Sequence, residues 1–138
     1  KVMFQQGGVC YVYLCYGIHY LFNIVTNIEG LADAVLVRAI QPVEGIDEME
    51  MRRGMSVSNK ALTSGPGSMS KALGITLDQY GADLCEDSIW IEDRSIDSFE
   101  IEARKRVGID YAEEDKDLPW RFVMKSNKWV SRPKFGLL

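Results

Sequence analysis

The segment from Val9 to Val25 constrains the fold more than any other part of the chain. Val9-Cys-Tyr-Val-Tyr-Leu-Cys15 is built from β-branched and aromatic residues, which fit a pleated surface. Tyr16-Gly17 then supplies a reversal, and a second apolar run follows from Tyr20 to Val25. Together these predict a β-hairpin. Side-chain alternation places Tyr11, Tyr13 and Cys15 on one face, Val12 and Leu14 on the other, and Tyr16 near the tip.

The remaining elements follow from punctuation. Asn27 to Gly30 reads as a turn, and Ala34 to Ile40 as a strand covered on both faces that carries one charge, Arg38. Pro42 ends it, Gly45 to Arg53 is helix-compatible, and Ser56 to Pro66 is loop-like. After the rigid turn Gly65-Pro66-Gly67, Ser68 stands where an N-cap would open a short helix through Leu73. Residues 76 to 87 read as an acidic loop with a helical turn, Ile89 to Glu92 and Phe99 to Ala103 as strands. Trp120 to Met124 with Trp129 to Ser131 read as a second hairpin around Lys125-Ser-Asn-Lys128. The expected class is α+β: a single domain over residues 1–138 with a curved, largely antiparallel, open-barrel-like sheet, short helices and a protruding hairpin.

Size agrees, since a chain of 138 residues with 46% hydrophobic composition suits one core. The longest apolar stretch, Val9 to Val25, is interrupted by Tyr16, Gly17, His19 and Asn23, and no run reaches the roughly 20 residues of a membrane span. Cys10, Cys15 and Cys85 lack the paired spacings of zinc or redox motifs, so reduced thiols in a soluble intracellular protein are expected, two in strands and one in a loop. The opening Lys1-Val2-Met3-Phe4 reads as the middle of a domain, and a truncation is expected there.

A net charge of -4 argues against a protein that finds nucleic acid through a global positive field. Its distribution says more. Residues 76–120 hold 14 acids against 5 bases, whereas residues 121–138 hold no acid and 5 bases, Arg121, Lys125, Lys128, Arg132 and Lys134. A solvated acidic face and a basic tail account for this without any function.

Each unusual residue has a structural and a functional reading. Tyr11, Tyr13 and Tyr16 are favoured strand residues, but they also offer flat surfaces on which bases stack, worth about 1–3 kcal/mol per base. Tyr16 at a tip has no packing role. Arg38 in an apolar strand must pair, hold water or leave the core. Asn23 either closes a local hydrogen-bond network or reads a ligand edge. His19 is the lone histidine, so no histidine-based metal site can form, and near a turn it is a surface residue by default. Gly65-Pro-Gly-Ser68 lacks the Gly-Lys-Ser/Thr ending of a nucleotide-binding loop and reads as a capped helix start that could receive a backbone phosphate. No nucleophile elbow is present.

Several ordered segments resemble the alkyladenine (3-methyladenine) DNA glycosylase family. They are Met3-Phe4, Tyr11-Val-Tyr-Leu-Cys-Tyr-Gly17 with Asn23, Val35-Leu-Val-Arg-Ala-Ile-Gln-Pro-Val-Glu-Gly45, Leu62-Thr-Ser-Gly-Pro-Gly67, Lys71-Ala-Leu-Gly-Ile75, Arg106-Val-Gly-Ile109, Pro119-Trp-Arg-Phe122 and Trp129-Val-Ser131. The resemblance implies excision of alkylated or deaminated purines (3-methyladenine, 7-methylguanine, hypoxanthine type) by flipping the nucleotide and hydrolysing the N-glycosidic bond with an activated water. It implies Tyr16 as the wedge that enters the minor groove, with Ile18 and His19 beside it. Tyr13 becomes a pocket wall stacked on the extruded base, and Asn23 the residue facing its edge. Arg38 and the main-chain carbonyl of Val107 would position the water. The family's general base is a glutamate upstream of the Met-Phe segment; none of Glu29, Glu44 or Glu48 matches it, so the chain alone is expected to be inactive.

No cofactor or metal is implied. The expected partner is double-stranded DNA containing damaged purines, met by a monomer in the cytoplasm, nucleoid or nucleus. Binding is expected to be weak and steeply salt-dependent, made locally by the hairpin, the Gly-Pro-Gly helix and the basic tail. Two rivals stand beside this reading. One is a non-catalytic nucleic-acid-binding module using the tyrosine hairpin; the other is a small-molecule enzyme or transferase on a similar sheet.

Overall fold

A computed structural model of the chain describes residues 1–86, 88–96, 98–109 and 113–131. Strand β1 (Cys10–Cys15) and strand β2 (His19–Val25) pair antiparallel with Cys15 opposite His19 and Tyr11 opposite Asn23. At the turn, Tyr16 and Gly17 both have positive φ, 51° and 71°, the backbone sense that matches strand twist in a tight hairpin. Glycine adopts it freely; tyrosine does so against its preference.

Strand β3 (Ala34–Leu36) completes the sheet on the far side of β2, in the order β1-β2-β3. It is shorter than the sequence suggests, and Val35 is 53% exposed, so this strand is not covered on both faces. An apolar run records burial potential without saying what is there to cover it. Past Leu36 the chain stays extended for a step, with the Val37 amide donating to the Phe22 carbonyl at 3.1 Å, and Ala39 then bridges to Ser64.

One short helix packs on the sheet's inner face and a second packs against the first. Helix α1 (Ile46–Arg53) places Asp47 and Glu48 in its first turn and Arg52 and Arg53 in its last, opposing the helix dipole at both ends. Helix α2 (Pro66–Leu73) starts with Pro66, whose missing amide costs nothing there, after Gly65 as N-cap. Ser68 is therefore inside the helix, and its hydroxyl accepts from Arg53 instead of capping. Met69 of α2 joins Cys10, Val12, Phe22, Ile75 and Leu84 in one cluster, and Ala72 joins Met49, Leu62 and Trp129 in a second. One helix thus ties the sheet to α1 and to the end of the described chain.

Antiparallel strands β4 (Ile101–Arg104) and β5 (Arg121–Met124) form a separate two-stranded sheet. The expected hairpin between Trp120–Met124 and Trp129–Ser131 is not formed. Asn127 folds the turn by accepting from the Trp129 amide at 2.9 Å, and the Trp129 ring is buried in the second cluster, which leaves β5 to pair with β4. Ile89–Glu92 contributes a single bridge, Cys85 to Trp90, and the acidic loop a short helical turn at Leu77–Gln79 capped by Thr76. The architecture is a single α+β domain with antiparallel strands, and the described residues form no closed barrel. Cys10 and Cys15 lie in β1, Cys85 in a loop, and all are free thiols. Among the described residues no helix is long and apolar enough to cross a membrane. Arg132 and Lys134 of the basic tail lie outside the described residues.

Candidate nucleic-acid interface and groove

Residues opposite one another on antiparallel strands share a face, so Tyr11 with Asn23, Tyr13 with Leu21, and Asn23 with Leu36 form rows on the sheet side away from Val12 and Phe22. Continuing the β2–β3 register through the Val37 amide sets Arg38 beside Leu21, whose other neighbour is Tyr13. Tyr13, Asn23 and Arg38 therefore belong to one face, with Tyr13 and Arg38 roughly 10 Å apart, two strand spacings.

The hairpin end of this face is open. Tyr16 is 92% exposed and Ile18 71% exposed, with Tyr13 exposed behind them and Leu14 exposed on the opposite face. The Tyr11 ring lies 5.7 Å from Tyr13 and 5.9 Å from Tyr80, so the aromatic surface includes a residue that the sequence did not single out. Asn23 is buried, and its amide nitrogen donates to the carbonyls of Tyr11 and Leu21 at 3.2 and 3.3 Å. This fixes the side chain in the sheet.

His19, next to the hairpin turn, meets α2. A Cβ added to Gly67 would lie 2.7 Å from His19 Cγ and 3.0 Å from its Cβ, so the Gly-Pro-Gly sequence is what allows the hairpin to approach the helix start. His19 is exposed toward solvent on its other side.

Between the 34–41 segment and the 106–131 region lies a groove of about 660 Å³. Arg38 and Val107, widely separated in sequence, both line it, with Arg106, Trp120, Arg121 and Ser131. Asn127 bridges its two sides by donating to Gln41 Oε1 at 3.0 Å. Tyr13 and Asn23 are not among the lining residues, and neither is any carboxylate of the described residues. Burial holds the Arg38 guanidinium below its ordinary pKa, and the neighbouring charge of Arg121 adds to the shift. The Arg38 Nε is buried without a hydrogen-bond partner among the described residues. The salt bridge allowed by the sequence is therefore absent among them.

Residues 1–128 match the family model described as methylpurine-DNA glycosylase. The chain belongs to that family. Among its relatives, a protein of Alkaliphilus oremlandii named "Putative 3-methyladenine DNA glycosylase" is 46% identical, the match covering 96% of this chain and 69% of the relative. Proteins of the same name from Clostridium novyi and Bacillus cereus are 43% identical, each match covering 96% of this chain and 69% of the relative. Membership makes this methylpurine-DNA glycosylase family chain a DNA-repair protein of base excision, with DNA as the substrate class and a 3-methyladenine DNA glycosylase role.

Within that family setting, Arg106, Arg121 and Tyr80 are the residues that sequence reasoning missed. The one available signal for Arg121 was alternation: in Trp120-Arg-Phe-Val-Met124 the arginine occupies the phase opposite to Trp120, Phe122 and Met124.

Proposed function

We propose that this domain carries the lesion-recognition surface of a monofunctional glycosylase that flips alkylated or deaminated purines, of 3-methyladenine, 7-methylguanine or hypoxanthine type, out of duplex DNA. Tyr16 carries the argument. An aromatic ring 92% exposed, on a left-handed backbone position that glycine would occupy without strain, gains nothing from packing. As a wedge it fills the stack the base vacates, with Ile18 and His19 against the minor groove, and offsets the few kcal/mol that unstacking costs. A weakly stacked damaged base costs less to extrude, which biases flipping toward lesions.

Tyr13 then serves as the stacking wall, and Asn23, held by Tyr11 and Leu21, presents its fixed amide to the base edge. Arg38 and the Val107 carbonyl hold the nucleophilic water. Its oxygen forms a bond to the sugar C1′ as the C1′–N bond breaks, the base leaves with that electron pair, and the water's proton passes to a general base. No described carboxylate lines the groove. On the family resemblance, the general base in this reading is a glutamate that none of Glu29, Glu44 or Glu48 matches, and the 138-residue chain by itself binds DNA without excising the base. It acts as a monomer, wherever the cell keeps its DNA.

The test is a duplex with 2-aminopurine beside a hypoxanthine. Binding of the wild-type chain should raise the fluorescence as the neighbour unstacks, and Tyr16→Ala should lose at least tenfold in affinity while its unfolding free energy changes by under about 0.5 kcal/mol. Equal affinity and equal fluorescence for the two proteins would remove the wedge. The exposed tyrosine hairpin also suits a non-catalytic nucleic-acid-binding module. In that case Arg38→Gln would leave binding intact and no upstream extension would yield excision.

A further inference from the structure

Arg121 is a cation placed where a strand ordinarily puts an apolar residue. On β5, Phe122 is 69% exposed whereas Arg121 is only 7% exposed, so the usual inward-apolar alternation is reversed. One terminal nitrogen, Nη2, donates to the backbone carbonyl and hydroxyl of Ser131, which fixes the plane of the guanidinium. Its Nε is buried with no hydrogen-bond partner among the described residues, as is that of Arg38. Its cross-strand neighbour is another arginine, Arg104, whose own charge is matched by Glu102 at 2.6 Å.

Arg38 and Arg121 therefore face the same groove, each with an unsatisfied buried donor, and no ion pair to either is formed among the described residues. Burial and like charge hold both below the ordinary arginine pKa. Two partly desolvated cations lining one groove repel, and an anion between them relieves that cost. The groove is otherwise lined mainly by apolar side chains such as Leu36, Val37 and Ile40, which strengthens any charge interaction inside it. A guanidinium keeps its charge at any physiological pH and has donors to spare for a phosphate oxygen beyond the nitrogen committed to Ser131.

We propose that Arg121, paired with Arg38, binds one backbone phosphodiester of the strand that carries the flipped nucleotide, at the wall of the groove nearest Ser131. This rests on the glycosylase reading above. Arg121 thereby becomes a strand-positioning residue that sets the flipped sugar against the water held by Arg38 and Val107.

The experiment replaces single phosphodiesters around a lesion with neutral methylphosphonates, one linkage at a time, and measures duplex affinity by fluorescence anisotropy. For the wild-type chain one linkage within about two nucleotides of the lesion should weaken binding roughly tenfold. Arg121→Gln should bind that many-fold more weakly to the unmodified duplex, be indifferent to methylphosphonate at that linkage alone, and lose about one from its slope of log K against log salt. Arg121→Lys, which keeps the charge, should fall between the two. If the wild type is indifferent at every linkage, or Arg121→Gln keeps the wild-type sensitivity, the assignment is overturned. Base release by an upstream-extended protein, measured on the same duplexes, separates the outcomes. Excision with no linkage effect sinks the phosphate site alone; no lesion preference and no excision sinks the glycosylase reading and the site with it.

Discussion

Replacing Gly67 with alanine sets two magnitudes against each other. Gly67 is the second residue of α2, and its backbone lies outside the left-handed region, so alanine there should gain up to about 1 kcal/mol from helix propensity. The new Cβ, however, would stand 2.7 Å from His19 Cγ and Nδ1 and 3.0 Å from His19 Cβ. Rotating the imidazole relieves the first two contacts but not the third, because Cβ moves only with the strand. Either β2 or α2 must shift, and overpacking of this kind costs about 1–3 kcal/mol. Gly67→Ala should therefore destabilise the native protein by about 1 kcal/mol. In a His19→Gly background, which removes all the close atoms, the same change should become neutral or stabilising. The coupling between the two sites should reach at least about 1 kcal/mol in a double-mutant cycle. Urea unfolding followed by tryptophan fluorescence reads all four proteins. Because the hairpin is displaced, Gly67→Ala should also weaken lesion-duplex binding. An equal stability change in both backgrounds, with zero coupling, would refute the packing argument.

Burial pushes the Cys10 thiol up to about 11 from an ordinary value of 9.0. The unfolded chain loses that proton first, so stability falls as pH rises from about 9 towards 11, by up to about 1.4 kcal/mol per unit; Cys10→Ala should flatten the fall, and an equally steep fall without the thiol would contradict it. A thiol reagent under native conditions should modify the exposed Cys85 at once and the buried Cys10 only on the unfolding timescale. Arg53 donates to the carbonyls of Leu62 and Ala61 and to the Ser68 hydroxyl at 3.0–3.1 Å, so Arg53→Met should cost about 1–3 kcal/mol in urea unfolding. No loss would mean that water replaces those bonds freely.

The elements legible in the sequence are the ones whose partners are local. The hairpin β1–β2 follows from alternation and the Tyr-Gly reversal, and α1 and α2 from their glycine, proline and charge punctuation. Strand β4 pairs across an acidic stretch with β5, and nothing in either segment states that non-local choice. The second hairpin was misread for the same reason: Trp129 is as suitable for a strand as for a core, and two helices distant in sequence decide between them. At the site, the exposure of Tyr16 and Ile18 was readable from their place at a reversal. The resemblance supplied roles for Tyr13, Asn23, Arg38 and Val107, which residue chemistry alone left open. Arg121 stayed hidden because a basic residue in a basic tail reads as solvated until its burial is seen.

The proposed function has this domain recognise and present a damaged purine, with the general base being a glutamate that the 138 residues do not match. Single-turnover release of hypoxanthine or 3-methyladenine from a labelled duplex, comparing the 138-residue chain with an upstream-extended protein, tests both halves together. Excision by the extended protein alone, abolished by replacing its upstream glutamate, is the predicted result. Excision by the 138-residue chain itself would contradict the assignment of the base, and excision by neither would contradict the enzyme.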